Sequence, residues 1–147
     1  SKIFKKVLAR RLAVQAIYQW HIVPSDSNLL VREFLAERKV GQLDEIYFAA
    51  LVKNIVANYE SIKSNLEEFL DRDWEQIEVV EKSILLIGAS EVLSEEIPTK
   101  VAINESIELC KIFGTVEGFK FVNGVLDSLS NQVKSTALFE NFSSLKL

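Results

Sequence analysis

Two prolines and five glycines are all that punctuate these 147 residues. An all-β sandwich or barrel needs turn signals about every 8–12 residues, and they are missing. Long segments instead repeat apolar residues at intervals of three and four, the signature of one buried helix face. The first helix is expected from Ile3 to Ile22, where Phe4, Leu8, Leu12, Ala16 and Trp20 form an i, i+4 row. Pro24 and the run Ser25-Asp26-Ser27-Asn28 end it and offer a cap for the next. A short helix from Leu29 to Arg38 turns Leu30, Phe34 and Leu35 inward, and Gly41 closes the unit. From Asp44 to Asp71 the apolar positions run Phe48, Leu51, Val52, Ile55, Tyr59, Ile62, Leu66, Phe69, long enough to predict a break near Asn58 to Ser61. Arg72-Asp73-Trp74 reads as a connector. A helix from Glu78 to Leu93 has Val80, Ile84, Ile87 and Val92 inward. After the loop Ile97-Pro98-Thr99, another runs from Lys100 to Phe113 and stops at Gly114, a C′ glycine. The last spans Glu117 to Val133, with a loose tail after Ser135. The expectation is an all-α domain of about seven helices in two small subdomains, residues 1–74 and 75–135, followed by a tail over 136–147.

Composition agrees with a packed domain. The chain is 48% hydrophobic and 26% charged, globular rather than disordered. A chain of this length buries roughly two-thirds of its unfolded surface, so it needs no disulfide or metal staple. The single cysteine, Cys110, excludes an internal disulfide and a cysteine-rich zinc site, and suits a reducing compartment. No apolar run approaches the roughly 20 residues of a membrane span. Arg10 and Arg11 interrupt what a signal peptide would need as its apolar core, so the cytoplasm is the expected location.

Catalytic patterns are absent. No HExxH, GxGxxG, P-loop or GxSxG appears. Cys110 and the only histidine, His21, make a nominal nucleophile–base pair, but Cys110 shares an apolar helix row with Ile103 and Ile107 and reads as buried filler. Glu67-Glu68 and Glu95-Glu96 are adjacent in sequence and diverge on a helix, so neither pair converges on a substrate atom. No enzyme, metal or cofactor is expected.

Charge is more informative. The net charge of −4 and sequence pI near 5.1 argue against a polyanionic partner. Residues 1–25, however, hold Lys2, Lys5, Lys6, Arg10 and Arg11 and no acid, giving +5. The remainder carries 12 basic and 21 acidic residues, or −9. Lys2, Lys6 and Arg10 form one helical stripe, with Tyr18 further along and somewhat rotated. Cations that track phosphates, with an aromatic ring in reach, suit single-stranded nucleic acid. A solvated helix face is the alternative.

A third feature spans Pro98 to Asp127. Gly124 sits inside a helix, where glycine costs about 1 kcal/mol relative to alanine, and close helix approach is the expected reason. Asn104 and Asn123 lie on otherwise apolar faces, so each is expected to tie backbone groups together at a crossing.

These blocks carry a resemblance. Ala9-Arg10, Ala13 to Trp20, Val80-Glu81-Lys82 through Glu91, and Pro98 to Asp127 with VAINESIELCKIFG and KFVNGVLD resemble the bacterial NusB antitermination family in the right order. Between Val23 and Glu78 the match is mainly apolar spacing. The resemblance implies an all-helical fold and an RNA-binding role in transcription antitermination. It implies pairing with a small-subunit ribosomal protein (Nus factor E) on single-stranded boxA RNA of ribosomal RNA leaders. Other Nus factors and RNA polymerase are engaged indirectly, and ribosomal RNA maturation is supported. No membrane is involved. The RNA-facing residues it implies are Lys2, Lys5, Lys6, Arg10, Tyr18, Phe69, Glu117, Lys120 and Phe121. Those implied toward the protein partner are Glu75, Glu81, Lys82 and Glu91. Two departures stand out. Ile3 to Leu8 replaces a dense arginine run with lysines and apolar residues, and Phe69 stands where a tyrosine is common. Lysine meets phosphate as a point charge without the arginine fork. Ile3, Phe4 and Val7 also offer a homodimer contact. The alternatives are the NusB-like RNA-binding domain of a ribosomal RNA cytosine methyltransferase, of which this chain is then a fragment, and a helical scaffold that binds only protein.

Overall fold

The protein's structure, a computed structural model, describes the backbone of residues 1–115 and 117–145 and the side chains of residues 1–115 and 117–140. Among them are seven α-helices and one 3-10 turn. The helices are α1 (Lys2–Ile22), α2 (Ser27–Ala36), α3 (Glu45–Ala57), α4 (Tyr59–Glu67), α5 (Val79–Ser94), α6 (Thr99–Ile112) and α7 (Phe119–Leu145). The 3-10 turn, Trp74–Gln76, sits in the α4–α5 connector. No strand occurs among the described residues.

Local chemistry sets several ends. The Asp26 carboxylate accepts the Asn28 and Leu29 N–H groups and starts α2. Asp44 accepts the Tyr47 N–H at 2.9 Å and starts α3. The predicted break falls at Asn58, whose φ of −114° leaves the helical range between α3 and α4. Gly114, at φ +80°, ends α6, and the Thr115 N–H returns to the Cys110 carbonyl at 2.8 Å.

Helix α5 is the axis of the molecule. Ser83 to Val92 are all buried, so this helix is enclosed on every side. It packs against α1, α3, α4, α6 and α7. Its polar members are satisfied internally. Ser83 donates to the Val79 carbonyl at 2.8 Å, and Asn54 Nδ2 donates to Ser90 Oγ at 2.7 Å. The buried apolar residues form one cluster with members on every α-helix, from Ala9 to Leu129. Cys110 belongs to it, as expected.

Four expectations change. Gly124 is exposed, and a Cβ there meets nothing within 4 Å. The close approach is at Gly88 instead, where a Cβ would lie 2.5 Å from Ser106 Oγ and 2.6 Å from Leu126 Cδ1. Without a side chain at Gly88, α5 settles against both α6 and α7. Asn104 and Asn123 are exposed and tie nothing at a crossing. Phe4, on the expected inward row, is 52% exposed. The last helix begins at Phe119 and runs through Leu145 rather than ending at Val133, with 146–147 outside the described residues.

The two glycines therefore separate in stability. Gly88→Val should lower the urea unfolding free energy by about 1–3 kcal/mol through overpacking. Gly124→Ala should raise it by about 0.5–1 kcal/mol, because a helical glycine is replaced at an open position. Equal effects would remove Gly88 as the point of closest packing.

Candidate nucleic-acid interface

Arg10 and Glu91 must be placed before any surface can be read. Arg10 is 4% exposed, and its Nε donates to Glu91 Oε2 at 2.8 Å and to Oε1 at 3.0 Å. The Tyr47 hydroxyl also donates to Glu91 Oε2. The Arg10 guanidinium carbon lies 5.6 Å from the Tyr47 ring centre. Burial, and next the Glu91 charge, push the Tyr47 phenol well above its usual range, so it stays a donor. This network joins α1, α3 and α5. It corrects two expectations. Arg10 is turned inward rather than exposed on the α1 stripe, and Glu91 is 2% exposed rather than at the surface. A buried charge is retained only when paired, and these two pair with each other.

The remaining amino-terminal cations stay outside. Lys2 and Lys5 are exposed. Lys6 is half-buried, its Nζ 5.0 Å from the Tyr47 ring centre. Tyr18, near the far end of α1, is 45% exposed. It borders a cavity of ≈ 440 Å³ with Val14, Phe34, Val80 and Phe113. Phe69 is half-buried and packs against the core, so only part of its ring meets solvent.

Three predicted residues come together at the start of α7. Glu117, Phe121 and Glu81 line one cavity of ≈ 500 Å³ with Arg72 and Gly118. The Arg72 guanidinium carbon stacks 4.3 Å from the Phe121 ring centre, while its Nε donates to Asp71 at 2.9 Å. Burial, and next the Glu78 charge, push the Glu81 carboxyl up, and Arg72 pulls it partly back. A Cβ on Gly118 would meet Glu81 Oε1, so this glycine admits the carboxylate. Lys120 is exposed beside the cavity. Glu75 is exposed near Lys63, and the Lys82 Nζ lies 5.6 Å from the Trp74 ring centre. Glu75, Glu81 and Lys82 thus lie along the connector and the first turn of α5.

Arg72 is the residue that the sequence reading passed over, because a connector arginine has no periodicity to mark it. Tyr47 lies one residue before Phe48, off the predicted apolar row of α3, and nothing local marks it. Cys110 and His21 do not form a pair. Burial pushes the Cys110 thiol up, away from thiolate, and His21 Nδ1 lies 3.0 Å from the Ile17 carbonyl. Among the described residues, no helix is long and apolar enough to cross a membrane, and no three acids, histidines or cysteines group to hold a metal.

An all-α protein whose distinctive chemistry lies on its surface, cations and open rings along α1 and α7, belongs with binding proteins. The NusB family model matches residues 8–131. The transcription antitermination protein NusB of Idiomarina loihiensis is 40% identical over 129 residues, 87% of this chain and 93% of its own. That of Shewanella denitrificans is 42% identical over 122 residues, covering 82% and 92%. T. maritima NusB superposes with a TM-score of 0.74 at 27% identity, over 85% of this chain and 89% of that one. A crystal structure of antitermination factors NusB and NusE with double-stranded RNA gives 0.77 at 24% identity, over 87% and 97%, which supports the fold. The chain belongs to the NusB family.

Two changes test the buried groups. Glu91→Ala should cost about 3–5 kcal/mol in urea unfolding, since it leaves the Arg10 charge buried without a partner. His21 is held below the usual imidazole range by burial, against the Ile17 hydrogen bond, with Lys82 adding to the lowering. The unfolded chain then takes up this proton more readily than the folded one. The His21 contribution is full above about pH 6.5 and is lost as pH falls through the folded pKa. Stability measured from pH 7 downward should drop, and His21→Phe should flatten that drop. An unchanged slope in the variant would count against the assignment.

Proposed function

We propose that this protein is an RNA-binding transcription antitermination factor that works in the cytoplasm and performs no catalysis. It pairs with a basic small-subunit ribosomal protein, Nus factor E, on single-stranded boxA RNA of ribosomal RNA leaders, and supports read-through and ribosomal RNA maturation. The observation that carries this reading is the division of charge along α1. Arg10 is turned inward, Lys2 and Lys5 stay exposed, and Tyr18 opens to solvent near the other end. Lys5 and Tyr18 lie thirteen helical steps apart, about 20 Å along the axis at 1.5 Å per residue. A flexible single strand spans that distance with phosphates on lysines and a base on the ring.

The rest of the surface supports a basic protein partner. Glu78, Glu81 and Glu117 surround the cavity beside Phe121, and opposite potentials steer association. This chain covers 93% and 92% of the two NusB relatives named above, which supports the antitermination reading. The related NusB–NusE complex was solved with double-stranded RNA. For this chain the single strand is favoured because ring stacking needs unpaired bases.

Titration of a labelled boxA RNA should show tighter binding when the ribosomal protein is present. Log affinity should fall with log salt, and Lys2→Ala and Lys5→Ala should each lessen that slope by about 1. Tyr18→Ala should weaken binding by about 1–3 kcal/mol with the slope intact. Affinity indifferent to partner and base order would overturn the reading.

A further inference from the structure

The amino end of α1 carries a second chemistry that charge alone conceals. Ile3 is 78% exposed, and across from it Val40 is 95% and Ile46 86% exposed. With Leu43 they line a groove of ≈ 670 Å³ between the first turn of α1 and the loop entering α3. The groove is already formed, since the Asp44 N–H donates to the Lys5 carbonyl at 3.2 Å and pins that loop to α1. A contiguous apolar patch with a polar rim marks an interaction surface rather than ordinary solvent-facing helix.

Lys2, Lys5 and Lys6 border the same groove. Two carboxylates border it too, but backbone groups engage both. Asp44 accepts the Tyr47 N–H at 2.9 Å, and Glu45 accepts the Gly41 N–H at 3.4 Å. Among the described residues, no carboxylate lies within 4.0 Å of any of these three lysines. With three lysines against these two carboxylates, the balance of charge at the rim is positive, and the lysines are the groups left to pair with a visitor. A polyanion alone meets the lysines and leaves Ile3, Val40 and Ile46 wet. A purely apolar visitor leaves the lysines without a role. One surface answers both demands, an apolar stripe flanked by carboxylates.

We infer that this groove docks an amphipathic helix from an acidic protein partner. Apolar side chains at helical spacing seat between Ile3 and Ile46, and carboxylates on the flanks meet Lys2, Lys5 and Lys6. The pinned loop spares the partner the cost of ordering this wall. This partner differs in charge from the basic protein proposed for the acidic cavity at α7. It shares the lysines with RNA but not the apolar floor, and that difference separates the two ligands.

The test uses the full chain and three probes. These are a synthetic amphipathic helix with leucine on one face and glutamate on the other, its lysine counterpart, and boxA RNA. The glutamate helix should bind saturably and the lysine helix should not. Ile46→Ser and Val40→Ser, both at exposed sites that leave the fold intact, should each weaken the glutamate helix about tenfold, the loss expected when one buried apolar contact is removed. Both should leave RNA affinity within about twofold, whatever that affinity is. Equal binding of the two helices, or none by the glutamate helix, would overturn the inference. So would an equal loss of RNA affinity in the serine variants, which would make the floor an RNA surface. A concentration-dependent dimer in sedimentation that Ile46→Ser abolishes would make a second copy the occupant and overturn it as well.

Discussion

Arg10 and Glu91 meet across 81 residues of sequence, deep inside the protein, with Tyr47 as a third member. The pair sets how α1 is turned. Ala9, Ala13 and Ala16 are fully buried around it, and such small side chains let α1 come close to α5. With Arg10 inward, the exposed groups of α1 include Lys2 and Lys5 in its first turns and Tyr18 on a different face near its other end. Burial of two charges is costly in itself, so the network is better understood as setting orientation than as a source of stability. Any misalignment of α1 against α5 would strand a charge without water, which makes alternative rotations of the helix expensive.

The acidic average of the chain takes on a different meaning in this light. Five cations in the first 25 residues imply a uniformly basic helix. One of the five is internal and neutralised, and Arg11 has its Nε buried without a partner. The unpaired positive charge thus lies on the lysines of the first two turns and on the half-buried Arg11. On the lysines it lies beside exposed apolar side chains rather than alone. At the other pole, Glu78, Glu81 and Glu117 gather around the start of α7. The molecule presents two surfaces of opposite sign, each with its own hydrophobic component.

Much of the architecture was legible because it rests on local chemistry. The Asp26 cap, the break at Asn58 and the stop at Gly114 each depend on one or two residues and their neighbours. Periodicity placed Cys110 inward correctly for the same reason. What could not be read depends on partners distant in sequence. Arg10 lies at the margin of the apolar stripe, with Ala13, Val14 and Ile17 at i+3, i+4 and i+7. The stripe alone does not say whether a marginal arginine turns in or out. The clue was at the other end of the pair. Glu91 is the sole charged residue in the run from Ile84 to Val92, and a carboxylate there requires a buried cation. Gly88 was hidden similarly. Its neighbours Ala89 and Ser90 are also small, a local sign of close packing that a glycine isolated in α7 lacked. For the site, Phe121 and Glu117 are named by the family resemblance, while Arg72 emerges only where the fold stacks it on the Phe121 ring.

The central claim is that the charge of Arg10 serves the fold and not the RNA. It is tested most directly by removing the pair as a whole, Arg10→Met with Glu91→Leu, since an apolar replacement of both partners preserves packing where a single change does not. The quantity to measure is the slope of log boxA affinity against log salt in the folded double variant and in the parent. The account predicts the same slope in both, because no phosphate contact has been lost. A slope lessened by about 1 would show that Arg10 neutralises a phosphate after all.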